Sequence, residues 1–204
     1  IPFIPFITAY LLYSDRQKIF SQRASYSILG LFPIVFGILI LLIGRKNETL
    51  IESHDHLTLT TFSMVLIWIG GFILCYGIRI FREAMFPLLF MFVAVPIPTN
   101  ILEKVIYVLQ KGSAEAAYGM LKVTGIPITR DGFVFHLVTA DIEVAKECSG
   151  IRSSLSLVIT GLLAGYFFLR TGWARIILLA SMLPITIVKN GLRIAVLSIL
   201  GVYV

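Results

Sequence analysis

The sequence predicts an all-α polytopic membrane protein, with about six or more transmembrane helices in the full chain and a small extracytoplasmic β-hairpin. Two observations carry this. Hydrophobic residues make up 58% of the 204 and charged residues only 14%, against roughly 45–50% and about 25% in a soluble domain. With mean hydropathy at +0.94, there is too little polar surface to wrap a water-soluble globule. The second observation is that apolar runs of about 20 residues, enough to cross the hydrocarbon core as a helix, recur along the chain. The same figures exclude a disordered chain, a collagen-like repeat and a disulfide-rich secreted scaffold. The net charge of +6 does not point to nucleic acid, because the basic residues sit in short clusters between apolar runs.

Taken in order, residues 1–13 form an apolar stub, followed by a polar stretch over 14–23. Residues 25–44 are a full span closed by Arg45 and Lys46, residues 47–56 a polar loop, and residues 57–81 the next span, flanked by Arg79 and Arg82. Residues 84–96 are apolar but short, and Pro87, Pro96 and Pro98 predict a kinked or tilted segment. Residues 99–123 read as an amphipathic helix lying on the membrane surface or covering the bundle. Its apolar side holds Ile101, Val105, Val108 and Leu109, and its polar side Glu103, Lys104, Gln110, Lys111 and Glu115. Gly125-Ile-Pro breaks it. Three short β-type runs follow within 126–145, with turns at Arg130-Asp-Gly132 and Thr139-Ala-Asp141. Residues 151–169 form another span, and a long apolar run from Ile176 contains Pro184. The chain starts at Ile1 and stops at Val204 inside apolar runs, as expected of a piece of a longer protein.

Lysine and arginine in short loops set orientation. Arg16, Lys18 and Arg23, then Arg79 and Arg82, then Arg170 and Arg175 mark every second loop as cytoplasmic. The loop with Glu48, Glu52 and Asp55 then faces outward, and so does the 98–148 segment, whose five basic residues are balanced by six acidic ones. Arg45 and Lys46 stand at an outward end, against the trend.

This topology places Cys148 outside, at the entry of the 151–169 helix. The helix's positive end and Arg152, one turn further in, favour the thiolate, which is the nucleophile; Glu147 opposes them. A lone membrane cysteine is ordinarily a small packing residue, and both readings stay open on spacing alone. Arg193 lies about 20 residues beyond Trp173, which returns it to the depth of Cys148. Arginine in an apolar run marks a functional site unless it snorkels to headgroups. Lys189 and Asn190 fall within a turn of it. A cysteine and a guanidinium at one depth suggest acyl transfer with oxyanion stabilisation. Of the histidines, His54 and His56 with Asp55 form at most a two-ligand metal clip on a solvated loop, and His136 reads as structural.

Glu147-Cys148-Ser149-Gly150-Ile151-Arg152-Ser153, preceded by an outward hairpin and followed some forty residues on by Asn190-Gly191-Leu192-Arg193, resembles the exosortase/archaeosortase family over roughly 87–204. The resemblance implies a single integral membrane domain over 1–204, with 97–147 as an extracytoplasmic helix-plus-hairpin insert. It implies a multi-pass protein of the cell (plasma/inner) membrane, a cysteine protease or transpeptidase whose active site faces outward. Its partners would be the lipid bilayer and substrate proteins with a C-terminal sorting tail: a Pro-Glu-Pro-type motif, a transmembrane helix and a basic cluster. It makes Cys148 the nucleophile and Arg193 the second catalytic residue, gives Arg152 and Asn190 supporting, substrate-side positions, and calls for no cofactor and no metal. A third catalytic residue is expected beyond Val204. Two other readings share these residues. One is a non-enzymatic transporter-like or scaffold protein binding an anionic headgroup or solute through Arg152, Lys189 and Arg193. The other is a membrane acyltransferase differing only in its substrate.

Overall fold

The computed structural model describes residues 3–20, 26–46, 52–124, 128–137 and 141–203, with the backbone alone at 147, 148, 202 and 203. The predicted break at Gly125-Ile-Pro, the turn at Thr139-Ala140, Arg23 and the 47–51 part of the polar loop lie outside the described residues. The chain is mostly helical and folds as two compact units, Ile1–Thr99 and Asn100–Val204. Four of its described helices are long and apolar enough to cross a membrane: Ile28–Lys46, Ser53–Glu83, Ile151–Phe168 and Gly172–Gly201. Met85–Ala94 with Thr99–Val123 makes a fifth if the bent pair counts as one span.

The first unit holds α1 (Ile4–Ser14), α2 (Arg16–Ile19), α3 (Leu31–Lys46), α4 (Ser53–Glu83) and α5 (Met85–Phe90). Lipid tails are as apolar as leucine, so helices in hydrocarbon associate through close packing, and small residues permit the closest. Gly30, Gly37 and Gly44 recur every seven residues and face α4. A methyl built on Gly30 would collide with Gly70 O, one on Gly37 would stand 3.0 Å from Ser63 O, and one on Gly44 3.8 Å from Leu59 Cβ. α3 and α4 therefore run antiparallel, with bare backbone against backbone where Gly30 crosses Gly70. α4 is broken at Gly77, whose φ of 86° and ψ of 166° no helix contains. Ser27 N donates instead to Leu74 O across the pair (3.3 Å), so a carbonyl beside the break finds its donor on the chain entering α3.

The short proline-rich segment is α5 followed by a 3₁₀ turn, Met91–Ala94. Leu88 of α5 and Ala84 just before it pack with Ile19, Val65, Ile69, Ile73 and Ile80 into the first unit's core. The polar loop is shorter than its composition suggests, because α4 starts at Ser53 and takes in the whole His54-Asp55-His56 triplet. His54 Nε2 bonds with Ile97 O (2.9 Å), and Asp55 Oδ1 accepts from both Thr99 N (2.8 Å) and Thr99 Oγ1 (2.9 Å).

The second unit holds α6 (Thr99–Val123), a three-stranded antiparallel sheet of β1 (Ile128–Asp131), β2 (Val134–Leu137) and β3 (Asp141–Glu143), then α7 (Ile151–Phe168) and α8 (Gly172–Tyr203). β1 and β2 are joined by the two residues Gly132-Phe133, with Gly132 at φ 59°. The turn falls one residue later than the sequence predicts. α8 runs unbroken through Pro184.

α6 has the predicted bounds but not the predicted face. Ile101 and Val108 are exposed, whereas Leu109, Gln110, Ser113, Ala114, Ala117 and Leu121 are buried. The reason is the proximity of α8. A methyl on Gly191 would stand 2.6 Å from Ala116 Cβ, and one on Gly112 3.1 Å from Ile187 Cδ1. These steps place α6 parallel to α8 with room only for small side chains. Beyond this seam Ile194 and Ala195 join Leu121, Phe135, Leu137 and Val144 in the second unit's core.

The glycine contacts give a paired test. Gly70→Ala must push α3 off α4 and lower stability by about 1–3 kcal/mol, the usual cost of overpacking. Gly71→Ala, with nothing within 4 Å of the new methyl, leaves stability within about 0.5 kcal/mol. Unfolding of the detergent-solubilised chain measures both.

Candidate functional site

Cys148 belongs to a 3₁₀ turn, Lys146–Ser149, wedged between the sheet and α7 and lying against α8. Gly150 closes the turn at φ 75°, ψ 13°, a left-handed conformation that strains any residue with a Cβ. It lets the chain turn sharply from the 3₁₀ segment into α7. The carbonyl of Gly150 then accepts three bonds from the first turn of α7: Ser154 N, Ser153 Oγ and Ser154 Oγ, each at 2.9 Å. Ser149 is wholly buried, and its hydroxyl has no partner among the described residues, so the turn is pressed into the protein.

The two sequence motifs meet through Gly150 and Asn190. A methyl built on Gly150 would lie 3.1 Å from Asn190 Cγ and 3.3 Å from its Oδ1. Further down the α7–α8 hairpin, Gly161 lies beneath the Met182 side chain and Gly165 against the stem of Arg175. Arg175 closes that hairpin by donating from Nε and Nη2 to Leu169 O (3.0 and 2.9 Å). The helices therefore run antiparallel in register from the turn at Arg170 up to Asn190. Arg193 stands one helical turn, about 4.5 Å, beyond Asn190 on α8.

Of the residues singled out from sequence, Asn190 is buried and donates from Nδ2 to Ser113 Oγ (2.9 Å) on α6. Arg152, Lys189 and Arg193 are exposed, and their side chains have no hydrogen bond or ion pair among the described residues. Arg152 leads α7 two residues after Gly150, so the turn, Arg152 and Arg193 are gathered at one end of the hairpin. His136 points elsewhere. Its strand neighbours Phe135 and Leu137 are buried, while His136 is on the opposite sheet face, where Nδ1 donates to Asp141 Oδ1 (2.8 Å). His54 and Asp55 are engaged with Ile97 and Thr99. No group of three or more His, Cys, Asp and Glu able to hold a metal stands together among the described residues.

Gln110 and Ser113 were missed from sequence. By polarity Gln110 belongs to the outer side of α6, yet it is buried and its Nε2 donates to Val144 O. The available signal was size: Gln110, Ser113, Ala114 and Ala117 share one helical face whose small residues mark a close helix neighbour.

Two positive-φ glycines separate backbone strain from crowding. Gly132→Ala meets open space and costs about 1–2 kcal/mol of strain alone. Gly150→Ala carries the same strain and also displaces Asn190, so detergent unfolding should show the larger loss for Gly150→Ala.

A family model for transmembrane exosortases matches residues 1–204, extending the resemblance from the motif-bearing half over the N-terminal helices as well. No curated protein and no solved structure matches the chain. With a match spanning every residue, and membrane-length helices in both units, this multi-pass membrane protein belongs to the transmembrane exosortase family.

Proposed function

We propose that the protein is a membrane cysteine protease/transpeptidase that cleaves exported proteins near a C-terminal sorting signal of Pro-Glu-Pro-type motif, transmembrane helix and basic cluster. Family membership supplies the reaction class. The observation that carries the site assignment is the seating of Gly150 on Asn190, which joins the Cys148 turn to the Asn190-to-Arg193 stretch of α8. The distribution of lysine and arginine supports an extracytoplasmic site, with the sheet of residues 128–143 on the outer side.

In this reading the Cys148 thiolate attacks the scissile carbonyl carbon, and the C–S bond forms as the carbonyl electrons move onto oxygen. The Arg193 guanidinium stabilises that oxyanion. Collapse breaks the C–N bond, the amine leaves with a proton delivered by water, and a thioester remains. Water or an amine, including one on a lipid headgroup, then releases the acyl product. Arg152 lies on the substrate side at the head of α7.

The test is processing of a reporter bearing such a sorting tail, co-expressed with the full-length protein. Cys148→Ala and Cys148→Ser should abolish cleavage, and Arg193→Ala should slow it by about 10²–10³-fold. In intact cells, with Cys75 replaced by serine, a membrane-impermeant maleimide should label Cys148 from outside. Residual cleavage by Cys148→Ala would overturn the mechanism. Anionic-vesicle binding that survives Cys148→Ser but not Arg193→Ala, without cleavage by the parent, would replace it with the headgroup-binding reading.

A further inference from the structure

We infer that α6 positions the nucleophile, with Gln110 and Ser113 gripping the chain on either side of Cys148. The inference rests on Cys148 being the nucleophile. Gln110 and Ser113 lie one turn apart on the same buried face of α6. Gln110 donates to the carbonyl of Val144, four residues before Cys148 and just past the end of β3. Ser113 accepts from Asn190 (2.9 Å), whose side chain is packed on Gly150, two residues after Cys148. The turn between these anchors is short, and both anchors belong to one helix that contributes no reacting group.

Burial makes the arrangement specific. Gln110 is 6% exposed, Ser113 0% and Asn190 5%, in a seam whose other members are glycine and alanine. A polar side chain so placed must be hydrogen-bonded, and these bonds go to the flanks of the Cys148 turn or to the residue that supports it. Val144 is itself buried at 1%, and its carbonyl lies outside the strand ladder, so Gln110 supplies a donor that the sheet does not. Asn190 and Arg193 share one helix, one turn apart. Seating Gly150 on Asn190 therefore registers the thiol's backbone to the guanidinium. Reactions of oriented groups lose about 10²-fold for a 1 Å misplacement, which makes such bracing consequential for rate.

The test is alkylation of the full-length protein in detergent by iodoacetamide as a function of pH, in a background where Cys75 and every cysteine outside residues 1–204 are replaced by serine, so that Cys148 is the sole thiol. The parent should reach its plateau rate well below the pH of a free thiol with pKa about 8.5. Ser113→Ala, Asn190→Ala and Gln110→Met should each move the midpoint of the profile upward by about half a pH unit or more. The Ser113→Ala/Asn190→Ala double variant should be no slower than Asn190→Ala alone, because Ser113 acts through Asn190. Gln110→Met keeps side-chain length and flexibility, so it carries the test where Ser113→Ala fails to fold. Variant profiles that superimpose on an activated parent profile overturn the α6 role and leave the Cys148 assignment standing. A parent profile with an ordinary thiol pKa overturns the nucleophile assignment itself, and the α6 role with it.

Discussion

At Gly191 the backbone of α8 comes so near to α6 that a single methyl would collide with Ala116, and most of the second unit follows from that approach. It forces glycine, alanine and serine onto the facing side of α6. It brings Asn190 within hydrogen-bonding distance of Ser113. It carries α8 onward beside α6 so that Ile194 and Ala195 reach Phe135 under the sheet. In hydrocarbon no water is released when such helices meet, so the association depends on dispersion contacts that only intimate backbone approach provides. The polar bonds in the seam are then made in a medium where leaving them unmade is costly.

The parts of this fold that could be read from the sequence are those written in hydropathy and in chain-breaking residues. The bounds of α6 come directly from its alternation and from Gly125, and the start of α7 from the glycine before Ile151. The hairpin is marked by Asp131-Gly132 between β-branched and aromatic residues. The packing face of α6 was not legible, because a helical wheel sorts residues by hydrophobicity whereas close helix contacts sort them by size. Ile101 and Val108 therefore look like core and are exposed, and Gln110 looks like surface and is buried. The same blindness hid the beginning of α4, where His54, Asp55 and His56 read as loop because they are polar. Their side chains instead make specific bonds to Ile97 and Thr99.

The candidate site was legible as residues and illegible as an arrangement. Cys148 and Arg193 announce themselves as reactive or costly side chains in apolar surroundings. What joins their segments is a glycine that can take a positive φ, an asparagine that fills the space its missing Cβ leaves, and a serine on a third helix. The glycine and the serine carry no chemistry that a sequence reading looks for, and the serine is 77 residues away from the asparagine.

The crossing of Gly30 over Gly70 has an evolutionary consequence. A leucine in a core has relatives in sequence space, such as isoleucine, methionine and valine, that preserve its contact approximately. A contact made by the absence of a side chain has none, since every exchange adds at least a methyl group and does so between two backbones. Drift at such a position cannot proceed by small steps. A lineage keeps the glycine, or it re-forms the whole α3–α4 interface in one coordinated change, so these silent, featureless positions are the more constrained part of the first unit's sequence.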